Sequence, residues 1–255
     1  MTIESINWSI LGPAMVAGIL VLSTHVPLGQ EVLKRGIIFI DLAIAQIAGL
    51  GVLTAGVMGW EDSLWAVQIS AVSAALLASI GLRWTERRWP ESQEPIIGIL
   101  FVLAATGSIL LLAENPHGAQ HMKDLLVGQI LWSTWQSLVP VVLLYAALLT
   151  IWFKWQDQIG RKGFYVIFAF TVTASVQLVG VYLVFASLII PALATQRLHG
   201  RYRLFAGYIL GAIAYLAGIT LSAMFDLPTG AVTVWTMAVL AVAVGQWLGY
   251  RNSKP

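Results

Sequence analysis

Long runs of apolar residues recur along the whole chain, separated by short stretches that hold most of its charged residues. A run of about 20 apolar residues is long enough to cross the hydrocarbon core of a bilayer as a helix. Only helices and closed barrels can span lipid, and these runs are too long and unbroken for barrel strands. The pattern therefore predicts an all-α, polytopic integral membrane helical bundle. The eight runs cover residues 8–28, 36–58, 63–83, 95–113, 137–153, 164–195, 204–224 and 229–249, with a weaker stretch at 124–136.

The basic residues predict the orientation, because Lys and Arg concentrate in cytoplasmic connections. Three arginines follow the run 164–195 and would lie outside after a single crossing. They are Arg197, Arg201 and Arg203. The run is too long for one straight span, and a helix break at Gly180 would turn it into a hairpin of two short crossings. With that hairpin, 13 of the 14 Lys and Arg lie inside. We therefore predict about nine crossings, with the N-terminus out and the C-terminus in; the alternative is one long tilted helix.

Composition narrows the class of protein further. The chain is 58% hydrophobic and 10% charged, against about 25% charged in soluble domains. Its basic residues form no stripe of the kind that binds nucleic acid, so nucleic acid is not an expected partner. We find no nucleotide-binding loop and no hydrolase motif, and therefore expect no catalytic residues and no permanently bound cofactor. The first run lacks a basic leader and a cleavage site, so residues 1–255 are predicted to form a single transmembrane domain.

A carboxylate inside a membrane span is costly to insert and usually faces a pathway or a partner. Asp41 lies about five residues into the second run, and Gln46 lies near mid-membrane depth. On a straight helix their side chains point about 140° apart, so they cannot share one tight site. They would serve successive points of a path or meet their counterparts across a two-fold axis. The alternative is that Asp41 pairs with Lys34, Arg35 or a helix N-terminus and only fixes the packing. The many Ala and Gly residues of this span permit close approach of other helices, so the span is predicted to be central.

A second intramembrane amide lies near the predicted helix break. Gln177 precedes Gly180 by three residues. It could satisfy backbone groups that the break leaves without partners, or it could contact a substrate. We favour the first role.

The outer connection ENPHGAQHMKD contains two histidines with the spacing of successive helical turns, His117 and His121. Such a pair suits one metal ion when the segment is helical. Pro116 and Gly118 oppose a regular helix across both histidines. Two interpretations of this segment therefore stay open, a weak external metal contact and a solvated loop. Cysteine is absent from the chain, so thiolate sites are excluded.

Five sequence blocks together resemble the permease subunits of ABC-type zinc, manganese and iron importers, over nearly the whole chain. VPLGQEVLKRGIIFIDLAIAQIAGLGV resembles the loop and second helix of that family, and VGVYLVFASLIIPALATQRL resembles its Val-Gly block ending in Pro-Ala. QEPIIGILF, DLLVGQIL and FDLPTGAVTV resemble three shorter family segments. The blocks occur in the family's order and occupy residues 26–52, 93–101, 124–131, 179–198 and 225–234.

The resemblance implies a homodimeric channel in a bacterial plasma membrane, driven by a separate cytoplasmic ATPase dimer and fed by an external metal-binding protein. The family's second helix carries an Asp and a His that are taken to line the metal path. Aligned on Gly51-Val52, this chain has Leu42 at the Asp position and Gln46 at the His position, with Asp41 one residue early. An amide oxygen is a weaker ligand than imidazole for a transition metal, which suits transient contact in a conduit.

The resemblance also implies that residues 192–203 present a short helix to the ATPase. This surface carries Arg197, His199, Arg201 and Arg203; a basic loop touching anionic lipid is the alternative. The leading expectation is thus a permease that carries a divalent transition-metal ion, zinc or manganese, as its substrate. The alternatives are a permease of the same architecture for a chelated metal or another small substrate, and a membrane scaffold that transports nothing.

Overall fold

The computed structural model describes residues 8–60, 62–113, 118–128 and 130–252, and within these ranges the regular elements are helices. Ten α-helices follow one another, with single turns of 3-10 helix before α4 and before α6. The all-α prediction is confirmed. The helices are α1 (Trp8–Arg35), α2 (Ile40–Val57), α3 (Leu64–Arg88), α4 (Gln93–Leu111), α5 (Gly118–Val127), α6 (Trp135–Lys154), α7 (Gln156–Val179), α8 (Val181–Ala194), α9 (Gly200–Phe225) and α10 (Thr229–Asn252).

Among the described residues, eight helices are long and apolar enough to cross a membrane: α1 to α4, α6, α7, α9 and α10. Helix α8 is apolar but has 14 residues, which span about 21 Å at 1.5 Å per residue. That length is shorter than the hydrocarbon core of about 30 Å. The eight long helices confirm a protein that crosses the membrane many times, whereas the N-out orientation remains a prediction.

The long apolar run breaks at the glycine that the charge pattern singled out. Gly180 has φ 81° and ψ 162°, far from helical values, and separates α7 from α8. An L-residue is strained in this region, so a glycine is what permits the break here. The run 164–195 is therefore not one continuous helix, whereas the reversal of direction that a hairpin requires stays a prediction. Within α7 a second non-helical residue, Gly160 with φ 53°, kinks the first turns.

Backbone contacts divide the chain into two compact units, each assembled from separate segments. The first unit comprises residues 1–36, 127–145 and 178–255, and the second comprises residues 37–126 and 146–177. The prediction of a single domain over the whole chain stays a prediction.

Small residues allow the helices of the first unit to pack closely. Helix α1 packs against α8 and α9, and α10 packs against the same two helices. Gly18 of α1 faces the ring of Tyr215, and Gly29 faces the backbone carbonyl of Leu188. A Cβ atom at either glycine would collide with these groups. Membrane helices lack a hydrophobic driving force between them, so close packing of this kind is what holds them together.

The second unit is built around α2, which packs against α3 and α4. Gly51 of α2 lies against the backbone of Ser70 and Ala71 in α3, and the Ser70 hydroxyl donates to the Gly51 carbonyl oxygen at 2.7 Å. Many large apolar side chains of α3 and α4 point outward, such as Leu77 and Leu110, which are 70% and 76% exposed. Apolar side chains in that position are suited to contact with lipid.

Candidate translocation path

Asp41 lies in the first turn of α2 and is completely buried. Neither of its carboxylate oxygens has a hydrogen-bond partner among the described residues. Arg35, one of the partners considered above, forms its ion pair with Glu31 at 2.8 Å. The helix N-terminus, whose partial positive charge favours an anion, is the remaining support for the carboxylate. A buried, unpaired carboxylate costs several kcal/mol of free energy, so this position is unusual, and the role of Asp41 stays a prediction.

Gln46 lies five residues further along α2 and is 1% exposed. Its carbonyl oxygen, Oε1, has no hydrogen-bond partner in the described part of the chain. The structure therefore places both predicted path residues in the same unit, on one helix, with oxygen atoms free to accept a bond. Because α2 is a regular helix from Ile40 to Val57, the side chains point about 140° apart. They do not converge on one site.

Glu94 is a residue to which the sequence pattern assigned no role. It lies in the first turn of α4, close to the backbone of Ile38 and Phe39 directly before α2, and neither of its carboxylate oxygens has a hydrogen-bond partner among the described residues. Phe39 is the N-cap of α2 and caps no backbone group with its own side chain. Glu94 thus lies near the beginning of the helix that carries Asp41, where the partial positive charge of a helix N-terminus favours an anion. The sequence feature that could have identified Glu94 is an acidic residue at the start of an apolar span.

Gln177 does not act as the sequence pattern favoured. Its side-chain amide pairs with that of Gln68 in α3, each donating to the carbonyl oxygen of the other. The two residues are 109 positions apart, which is why no local pattern pointed to the pair. The amide pair joins α3 to α7 close to the end of α7. A reciprocal amide pair satisfies polar groups that lipid could not.

The break at Gly180 is one part of a junction of three glycines in the first unit. Cβ atoms at Gly128 and Gly180 would each collide with the backbone of the other segment, and one at Gly230 would collide with the Val127 carbonyl oxygen. Gly128 and Gly180 both have positive φ, 72° and 81°. Each glycine belongs to a different resemblance block, in Val-Gly, Val-Gly and Thr-Gly pairs. Their backbone contact explains why these blocks contain glycine.

The structure describes the side chains of two of the four histidines, His25 and His199. His25 in α1 is completely buried; its Nδ1 lies 2.9 Å from the Val21 carbonyl oxygen, while Nε2 has no partner among the described residues. His117 lies outside the described residues, and of His121 only the backbone is described, in α5. The external metal contact therefore stays a prediction. The described part of the chain contains no group of three or more His, Asp or Glu side chains that could hold a metal ion.

The segment between α8 and α9 forms an exposed polar surface. Thr195 closes α8 by donating its hydroxyl to the carbonyl oxygen four residues earlier at 2.7 Å. Arg197, His199 and Arg201 are exposed, whereas Arg203 is half-buried. The Arg201 guanidinium lies over the ring of Tyr202, 5.6 Å from its centroid. The coupling role of this surface stays a prediction.

The many spanning helices define a polytopic membrane protein, and a buried carboxylate without a partner among the described residues is typical of a transport path. Comparison with known proteins supports this class. The model of a family described as the ABC 3 transport family matches residues 7–160 and 157–247, nearly the whole chain. The chain therefore belongs to the ABC 3 transport family, as a multi-span permease subunit and not as an enzyme.

Relatives from bacteria match over most of their length. The manganese transport system membrane protein MntC of Halalkalibacterium halodurans is 24% identical over 261 residues, covering 93% of this chain and 87% of that protein. The high-affinity zinc uptake system membrane protein ZnuB of Haemophilus influenzae is 22% identical over 256 residues, covering 92% and 96%. A solved structure, PsaBC from Streptococcus pneumoniae in complex with Fab, has a TM-score of 0.77 at 19% identity, covering 98% and 97% of the two chains. This structural likeness shows the fold.

Proposed function

We propose that this protein is the permease of an ABC importer that carries a divalent transition-metal ion, zinc or manganese, into the cell. The observation that carries the proposal is Asp41, a fully buried carboxylate without a partner among the described residues. A dication attracts such a group more strongly than any neutral substrate would. The relatives named for manganese and zinc transport support the same substrate class.

The path in this proposal contains Asp41 and Gln46 as successive contacts. Both offer oxygen atoms, and the described residues contain no group of three or more His, Asp or Glu side chains that would enclose an ion. A conduit needs contacts that favour entry and still release the ion, so weak, separate contacts suit transport better than a tight site. Gly180 and Gln177 act indirectly in this proposal, by fixing the break between α7 and α8 and the position of α7 on α3.

The assembly in this proposal contains a second copy of the chain, a cytoplasmic ATPase dimer and an external metal-binding protein. Residues 192–203 form the ATPase coupling surface. Its exposed basic side chains, together with the exposed rings and apolar groups of Tyr202 and Leu193, provide both charge and contact area for a docking partner. Lipid contact by the same arginines is compatible with this role.

Reversing the charge of the coupling surface is expected to uncouple the permease from its ATPase. In the double variant Arg197→Glu and Arg201→Glu, copurification of the ATPase should fall at least about tenfold, because like charges across an interface cost several kcal/mol. The variant Arg87→Glu with Lys162→Glu is the control, since these side chains are also exposed but lie outside the surface. Equal loss of the ATPase from both variants would contradict the assignment.

ATP hydrolysis tests the proposed substrate. In the reconstituted complex, the ATPase rate should rise several-fold when the binding protein is added with Zn²⁺ or Mn²⁺, and should not rise with the metal-free binding protein. Stimulation only by a chelated metal would favour the alternative permease. A purified permease that retains no ATPase would favour the scaffold and refute the proposal.

A further inference from the structure

Two buried hydroxyl groups depart from the usual behaviour of Ser and Thr in helices. Such side chains normally donate to a backbone carbonyl oxygen one turn earlier, as Thr54 and Ser108 do at 2.7 and 3.0 Å. Ser79 and Thr173, 2% and 1% exposed, have no hydrogen-bond partner among the described residues. Because a buried hydroxyl without a partner costs free energy, these two groups point to a ligand that the protein meets during its function.

Ser79 lies on the face of α3 that packs against α2. The buried residues of α3 follow one another by helical turns, and Ala71, two turns before Ser79, adjoins Gly51 of α2. The short connection between α2 and α3 makes them antiparallel. Eight residues along α3, about 12 Å, therefore bring Ser79 level with the stretch of α2 between Asp41 and Gln46. Ser79 faces the helix that carries the proposed path.

Thr173 lies on the same face of α7 as Gln177, one turn earlier in the chain. Gln177 pairs with Gln68 near the beginning of α3, and Arg161 lies 3.7 Å from Glu86 near its end. Helix α7 therefore runs antiparallel to α3. Four residues separate Thr173 from the amide pair, which is about 6 Å along the helix.

The polar side chains of α2, α3 and α7 lie at successive depths along the second unit. Depth along the unit can be counted from the contact of Ala71 in α3 with Gly51 in α2. On that count Gln68 lies at the depth of residue 54 of α2, Thr173 at that of residue 50 and Ser79 at that of residue 43. Together with the α2 residues they leave steps of about 3 to 6 Å between successive polar groups. We propose that Ser79 and Thr173 line the cation path together with the α2 residues, as hydroxyl contacts. In order of depth the contacts are Thr173, Gln46, Ser79 and Asp41, and the amide pair of Gln68 and Gln177 lies one step beyond Thr173.

The chemistry of this series indicates what it can carry. Its groups offer amide, hydroxyl and carboxylate oxygens, and the single carboxylate is that of Asp41. Oxygen ligands of this kind suit Mn²⁺ better than softer ions, which prefer thiolate or imidazole. Rotatable hydroxyls replace part of the water shell of a cation without enclosing it, as a conduit requires. The inference rests on the proposed function and adds two contacts to the proposed path.

Uptake of Mn²⁺ into proteoliposomes containing the complete complex tests this inference. Ser79→Ala and Thr173→Val should each lower the maximal uptake rate about three- to tenfold, the effect of losing one favourable contact. Neither should lower the thermal midpoint of unfolding, because no hydrogen bond is removed. Thr173→Ser and Ser79→Thr, which keep the hydroxyl, should restore most of the rate.

Ser108→Ala and Thr54→Val are the matched controls, since their hydroxyls bond back to the helix. Uptake by Ser79→Ala and Thr173→Val that equals uptake by these controls overturns the inference. That result leaves the proposed function standing, provided that the unmodified complex takes up Mn²⁺ and Asp41→Asn does not. Failure of the unmodified complex to transport a metal refutes the proposed function instead.

Discussion

Replacement of Asp41 by Asn is expected to lower ATP-driven metal uptake by at least about a hundredfold while the protein stays folded. The amide has nearly the shape of the carboxylate but lacks the charge that attracts a dication into a medium of low dielectric constant. Folding should not suffer, because the carboxylate is fully buried without a partner among the described residues, so its neutralisation removes a desolvation cost. Uptake by proteoliposomes and thermal unfolding in detergent measure the two effects.

Asp62 provides a control for this variant. It is exposed, in the connection between α2 and α3, so Asp62→Asn changes the net charge equally without touching the path. Normal uptake by both variants would remove Asp41 from the path. A loss of uptake accompanied by a lower unfolding temperature would instead show that Asp41 is structural, as the alternative of a packing role holds.

Replacement of Gly180 by Ala is expected to destabilise the protein by about 2 to 6 kcal/mol. Backbone strain at φ 81° and ψ 162° contributes about 1 to 3 kcal/mol. Collision of the new Cβ with the backbone at Val127 and Gly128 adds about 1 to 3 kcal/mol, because backbone cannot yield as a side chain does. The amount of folded protein in membranes and its thermal midpoint measure the change.

Gly81→Ala is the matched control for that experiment. Gly81 lies within α3, and nothing lies within 4 Å of the position that a Cβ would take. Alanine in a helix interior is favoured over glycine by about 1 kcal/mol, so this variant should be as stable as the original or more so. If Gly180→Ala proved equally stable, the glycine junction would not be what fixes the break.

The sequence predicted those features that depend on local chemistry. In lipid, apolar runs long enough to span a membrane can form all their backbone hydrogen bonds only as helices, so the sequence predicted the helical fold. Three arginines after the run 164–195 indicated a break in the helix within that run. Gly180 was the residue that could adopt the non-helical backbone conformation of such a break. Asp41 was identified because a carboxylate in a span is rare enough to stand out.

The features that the sequence did not predict depend on contacts between distant segments. Gln177 was found by its polarity, but its partner Gln68 belongs to another helix. Gly128 and Gly230 look like ordinary glycines until their backbones meet the segments at Gly180 and Val127. The sequence likewise could not show that the Ser79 hydroxyl lacks a partner, because most Ser and Thr hydroxyls in helices donate to a carbonyl oxygen of their own helix.

Metal flux itself tests the central claim most directly. Proteoliposomes containing the permease with its ATPase would be given the external binding protein loaded with radioactive zinc or manganese, with ATP on the side of the ATPase. We expect metal to accumulate against its gradient in the unmodified complex, and to remain outside with Asp41→Asn. ATP hydrolysis without accumulation of either metal in the unmodified complex would contradict the account.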